Sequence, residues 1–155
     1  MSVKPPRILV IAGSDSSGGA GISRDVVTAA AFGVEVCPVL TAVTAQTDQA
    51  VTALHPVPPE VVAAQIKAAR THSDIAAIKI GMLGSAEVAE VVGRVLVGSK
   101  LPLVIDPVLR ASSGGRLSEG SHLPALFSGA DLLTPNLPEA AVLTGLPEAV
   151  TPQEI

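Results

Sequence analysis

The chain has 155 residues, with 14 Asp and Glu against 10 Lys and Arg and a formal net charge of −4, which argues against a polynucleotide partner because such binding rests on a basic face. Its 48% hydrophobic content contains two Phe and no Trp or Tyr, a composition suited to helices on a doubly covered sheet and not to an aromatic stacking platform. The length is about one domain's worth, and the single Cys37 rules out an internal disulfide or a cysteine zinc cluster.

The basic start leads into an apolar run at 8–12 that is shorter than a signal-peptide core, and no run approaches the ~18 residues of a membrane helix. The sequence therefore reads as cytoplasmic, with no membrane partner. Residues 7–12 form a first strand. A helix at 21–32 follows, with Ile22, Val26 and Ala30 on its apolar face and Gly33 as its stop. Strands come next at 36–43, where Cys37 reads as a buried structural thiol, and at 50–55. Pro58-Pro59 opens a helix that reaches residue 71. The remaining units are a strand at 77–80, a helix at 86–97, strands at 103–105 and 131–133, and a helix at 138–143. Residues 112–116 form the most flexible-looking loop, and a further helix begins near Thr151-Pro152. His55, His72 and His122 lack metal-ligand spacing and read as surface residues. This alternation predicts an α/β fold, a mostly parallel sheet with right-handed crossovers and helices on both faces.

The densest signal is the stretch from Ile11 to Asp25, in which Gly13, Gly18, Gly19 and Gly21 join the first strand to the first helix with almost no side-chain bulk. Glycine lets the main chain approach a ligand closely, and a helix N-terminus favours a polar or anionic group. A small-molecule or phosphate pocket and a tight turn that touches nothing both fit these glycines. Two glycine signatures fail. Gly19-Ala20 stands where a P-loop needs Lys followed by Ser or Thr, and Arg24 stands at the third glycine of a dinucleotide fingerprint.

The stretch instead resembles the N-terminal motif of the hydroxymethylpyrimidine and phosphomethylpyrimidine kinases of thiamin synthesis, which have a ribokinase-like fold. It matches at Ala12, Gly13, Ser14, Asp15, Ser17, Gly18, Gly19, Ala20, Gly21, Ile22 and Asp25. Four further segments follow in the family's order: Thr41-Ala42-Val43-Thr44-Ala45-Gln46, Lys79-Ile80-Gly81-Met82-Leu83, Asp106-Pro107-Val108 and Thr134-Pro135-Asn136-Leu137-Pro138-Glu139-Ala140. The resemblance implies a three-layer αβα ribokinase-like domain, an ATP-dependent phosphotransfer to a small pyrimidine, and ATP with Mg2+ as cofactors. It also implies that Gly13, Ala20, Asp25, Gln46, Met82 and Val108 surround the pyrimidine. Asp106, Asn136 and Glu139 would lie near the magnesium and the phosphates. By the same resemblance Gln46 meets the ring's amino group and nitrogen, an amide having both a donor and an acceptor.

Independently of the resemblance, ligands of open α/β sheets sit outside the carboxyl ends of the strands, and the glycine loop, Gln46, Met82, Asp106 and Asn136 all fall there. Each residue has a plainer reading as well. Gln46 could be a surface side chain, Met82 a core methionine, Asp25 part of a solvated helix face, and Asp106 a cap. Asn136 could cap the helix that Glu139 opens.

Two departures stand inside the matched region. Thr44 replaces a common valine, and residues 109–113 lack the family's lysine. The family's C-terminal Gly-Thr-Gly-Cys or Gly-Thr-Gly-Asp segment, whose amides stabilise the transferring phosphoryl group, has no counterpart. The resemblance therefore implies one incomplete domain over 1–155: a fragment, a truncated product or a split half. Such a chain would form a homo-oligomer or join a complementing C-terminal chain. A pyrimidine-binding module without catalysis and a sugar- or pyridoxal-type kinase are the rival readings.

Overall fold

The structure, a computed structural model, describes residues 4–72, 74–108 and 124–147. Its elements are β1 (Arg7–Ser14), α1 (Gly21–Ala31), β2 (Glu35–Gln46), β3 (Val51–Pro56), α2 (Pro59–His72), β4 (Ala77–Ile80), α3 (Ala86–Leu96), β5 (Leu103–Ile105), α4 (Pro124–Phe127), β6 (Leu132–Leu133) and α5 (Leu137–Thr144). The six strands form one sheet in the order β3-β2-β1-β4-β5-β6. Every neighbouring pair is parallel except β2 and β3, which run antiparallel with Thr44 opposite Leu54.

The centre of the sheet is set by β1, whose residues Leu9 to Ala12 are all buried. Successive side chains of a strand point to opposite faces. Leu9 and Ile11 accordingly pack with Val62 and Ile66 of α2 and with Val88 and Val92 of α3, while Val10 and Ala12 pack with Ile22 of α1. Helices thus cover both faces, in three layers, as the alternating pattern predicts. Each fully buried Val, Leu or Ile contributes roughly 1.5–3 kcal/mol, so the larger cluster beneath α2 and α3 dominates the core.

Local chemistry explains the helix ends. Ser85 accepts the N–H of Val88 at 3.2 Å and caps α3. Asn136 caps α5, and Gly145, at φ 69°, ends it in the left-handed conformation. On the open edge of β2, below the reach of β3, the Gln65 side chain stands in for a strand. It accepts the Leu40 N–H and donates to the Leu40 carbonyl, both at 3.0 Å.

Several expectations are corrected. The inward face of α1 is Ile22 and Ala29, not Ile22, Val26 and Ala30; Val26 is 41% exposed. The helix is rotated because Asp25 turns inward to an ion pair. Cys37 is partly buried, not fully. Strand β2 runs on to Gln46 because β3 pairs with its last residues, and α4 is an added short helix that sends Leu126 into the core. His55 is exposed as expected. His122, the loop at 112–116, the altered 109–113 segment and the helix expected near Thr151 lie outside the described residues, and so does the His72 side chain.

Candidate functional site

Gly13 and Gly21 let two backbones meet at the carboxyl end of β1. A Cβ on Gly21 would lie 2.5 Å from the Gly13 carbonyl oxygen, and Gly21 has φ 59°, so only glycine fits without strain. A Cβ on Gly13 would lie 2.2 Å from the Met82 Cε. The methionine side chain therefore lies directly over the Gly13 backbone. The Met82 carbonyl accepts the Gly13 N–H at 3.1 Å and the Thr41 hydroxyl at 2.6 Å, fixing the turn after β4 against β1.

The glycine loop itself is organised by Asp15. Its carboxylate accepts the Ser17 N–H and the Ala20 N–H, both at 2.8 Å, and the Ser17 hydroxyl. Burial works against the charge of Asp15, but the hydrogen bonds from Ser17, Ala20 and Gly19 outweigh it and hold the carboxyl below its ordinary range. The Gly18 N–H is given to the Asp15 carbonyl and the Gly19 N–H to the Ser17 hydroxyl. The amides from Ser17 to Ala20 are thus spent inside the loop. This loop shapes a wall of the pocket and does not cradle an anion with those four amides.

A cavity of about 250 Å³ opens beside this loop, past the carboxyl ends of β1, β4, β5 and β6. Gly13 and Ala20 border it from the loop, Gln46 from the end of β2, and Met82 and Val108 from its apolar side. Asp106, Asn136 and Glu139 border it from the segments after β5 and β6. All the sequence-derived site residues except Asp25 therefore meet at one cavity. Met82 is buried in a small cluster with Ala42, as the core reading expects, and it also lines the cavity.

Asp25 sits one layer behind. Both its carboxylate oxygens accept from the Lys79 Nζ, at 3.0 and 2.9 Å, so the solvated-face reading of Asp25 is overturned. Lys79 borders the cavity and also stands 4.0 Å from Asp106. Sequence reasoning missed it as a site residue. Its signal was a lone charge in the buried strand segment Ile78-Lys79-Ile80, where an ammonium persists only when paired. Gly81 makes room for it, since a Cβ there would stand 3.2 Å from the Nζ.

On the acidic side, Asp106 carries a carboxyl raised above its ordinary value. Burial is the main cause, and Glu139 and Asp25 add to it against the opposing Lys79 charge. Asn136 and Glu139 form a reciprocal capping box, with the Glu139 N–H given to Asn136 Oδ1 at 2.9 Å and the Asn136 N–H given to Glu139 Oε2 at 3.0 Å. The capping alternative holds for this pair, and both residues still face the cavity. Thr44, the departure from valine, is buried outside the lining and bonds the Ser14 carbonyl.

Comparison with known proteins identifies the family. Residues 15–155 match the family model described as phosphomethylpyrimidine kinase. Hydroxymethylpyrimidine/phosphomethylpyrimidine kinases from Haemophilus influenzae and Mycobacterium tuberculosis are 43% and 45% identical, over 90% and 92% of this chain. The chain spans about half the length of these relatives, 54% in each case. Among solved structures, a phosphomethylpyrimidine kinase from Clostridium difficile matches with a TM-score of 0.82 and 37% identity, over 91% of this chain and 63% of that one. Bacillus subtilis pyridoxal kinase, in an ADP complex, matches with a TM-score of 0.80 and 30% identity, over 97% and 57%. With its glycine loop, its cavity and its match over residues 15–155, the chain belongs to the phosphomethylpyrimidine kinase family.

Proposed function

We propose that this chain contributes the substrate-binding part of an ATP-dependent kinase that phosphorylates hydroxymethylpyrimidine and its monophosphate in thiamin biosynthesis. The observation that carries this reading is the meeting of Gly13, Gln46, Met82 and Val108 with Asp106 and Glu139 around one cavity. An apolar side formed by Met82 and Val108 suits a flat heteroaromatic ring. The Gln46 amide has both the donor and the acceptor that an aminopyrimidine edge needs. The carboxylates opposite suit the phosphate side.

No group of three or more His, Cys, Asp or Glu that could hold a metal occurs among the described residues. Magnesium keeps several waters and needs only one or two carboxylates beside nucleotide phosphates. Asp106 fits that mode, since it borders the cavity with Glu139 and its carboxyl, raised chiefly by burial despite Lys79 at 4.0 Å, gains from a further cation. When bound, magnesium neutralises phosphate charge. The chain's own residues seat the ring, exclude water with Met82 and aim the hydroxymethyl oxygen toward Asp106, so that positioning supplies most of the catalysis.

In this reading residues 1–155 form a single incomplete ribokinase-like domain that associates as a homo-oligomer or joins a complementing C-terminal chain. No helix among the described residues is long and apolar enough to cross a membrane, and the reading places the chain in the cytoplasm. The rival reading is a pyrimidine-binding module without catalysis. A phosphotransfer assay with ATP, Mg2+ and hydroxymethylpyrimidine decides. The chain alone is expected to be nearly inactive and to gain activity, sensitive to Asp106→Asn, when the C-terminal half of a relative is added. Absence of turnover in both mixtures, despite specific pyrimidine binding, would leave the binding module.

A further inference from the structure

Thr44 and Gln46 lie two residues apart on β2 and so share a face of the strand. The Gln46 main chain is held from below by Ser16, whose hydroxyl donates to the Gln46 carbonyl at 2.8 Å and accepts the Gln46 N–H at 2.7 Å. With the backbone fixed, the freedom that matters for recognition is a half-turn of the side-chain amide, which exchanges its oxygen and nitrogen. Shape does not distinguish these two atoms; their hydrogen-bond partners do.

Thr44 supplies such a partner. It is 4% exposed, its Oγ1 donates to the Ser14 carbonyl at 2.8 Å, and the same Oγ1 stands 3.5 Å from the amide atom placed as Gln46 Oε1. A hydroxyl carries one proton. The short contact to Ser14 takes it, so toward Gln46 the threonine oxygen has only lone pairs. A carbonyl oxygen facing it would set acceptor against acceptor, whereas an N–H would be satisfied.

We infer that Gln46 turns its Nε2 toward Thr44, and that Thr44 is the positioning residue that decides which way round the amide meets the cavity. The inference rests on the reading that Gln46 meets the pyrimidine edge, and it adds the basis of discrimination. In this orientation the cavity sees Oε1 and the second N–H side by side in a fixed order. That order pairs with an exocyclic amino group beside a ring nitrogen. A ring with a carbonyl beside a ring N–H needs the opposite order, which the amide reaches only by flipping and setting its oxygen against Thr44. Threonine thus strengthens the preference for an aminopyrimidine over its oxo counterpart beyond what a valine at this position gives.

The test has two arms. In the free wild-type protein, NMR should give a nuclear Overhauser contact between a Gln46 side-chain N–H proton and the Thr44 side chain; its absence from an assigned amide overturns the inference whatever the ligand. Calorimetric titration with hydroxymethylpyrimidine and with its 4-oxo analogue should then show a preference for the amino compound. Thr44→Val should narrow that preference by roughly three- to tenfold, the worth of one hydrogen bond, and Thr44→Ser should restore it. An undiminished preference in Thr44→Val, or a serine variant that behaves like valine, overturns the inference. If wild type binds neither compound, the reading of the substrate fails, and the NMR contact alone decides the role of Thr44.

Discussion

Gly13 and Gly21 lack side chains for different physical reasons, and the difference is measurable. Alanine at Gly21 would meet the Gly13 carbonyl oxygen from a left-handed backbone, so Gly21→Ala should lower Tm by about 2–8 °C, corresponding to a cost of about 1–2 kcal/mol. Alanine at Gly13 meets only the far end of Met82, which can swing aside. Gly13→Ala should therefore leave Tm nearly unchanged while weakening pyrimidine binding by roughly tenfold as Met82 is pushed across the cavity. Thermal melts beside titrations separate the two cases. Asp15 carries a pH signature. Its folded carboxyl titrates below the ordinary Asp value of 3.8, so its stabilisation is complete above that value and is lost as pH falls through the lowered one. Wild type should lose Tm on acidification from about pH 4 downward. Asp15→Asn should flatten that limb and lie about 1–3 kcal/mol lower at neutral pH. The motif residues were legible in the sequence because their segments resemble a family motif and fall after predicted strands. Lys79 was not, because its meaning lies in Asp25, 54 positions away, and no local pattern links them.

At the scale of elements, strands and helices were legible wherever periodicity had room to show. In α3, Val88, Ala89, Val92 and Leu96 repeat at helical spacing and are all buried, so its limits were readable to within a residue. Helix α4 has four residues, too few for a period, and escaped notice. The face of α1 was misread by one position because Asp25, a charged side chain, turns inward to Lys79 and takes the place that hydrophobic spacing gave to Val26. Helix α5 separates structure from ligand binding. Asn136→Ala removes the reciprocal cap with Glu139 and should cost about 0.5–2 kcal/mol in a thermal melt without ligand. A change in nucleotide or metal affinity larger than that loss would show that Asn136 also serves the cavity, and an unchanged Tm would contradict the capping geometry.

For the whole molecule, the β6 edge of the sheet is the governing feature, since among the described residues β6 pairs with β5 alone. Leu132 on the edge strand β6 is 53% exposed, and Val142 and Leu146 of α5 and its exit are 64% and 66% exposed. An uncovered strand edge next to apolar side chains invites association. Sedimentation velocity should show concentration-dependent species larger than a monomer, and Leu132→Lys should shift them toward monomer; a wild type that stays monomeric at every concentration would contradict this. The proposed pyrimidine side of the pocket is a different matter, since the glycine loop, Gln46 and Met82 converge within the described residues. The most direct measurement of the substrate-binding role is calorimetric titration of hydroxymethylpyrimidine into the wild-type chain and into Gln46→Leu. Weak one-site binding that falls roughly ten- to a hundredfold in the variant is expected, the cost of an unpaired polar edge being about 1–3 kcal/mol. Equal affinities in the two proteins, or no binding to a well-folded wild type, would contradict it.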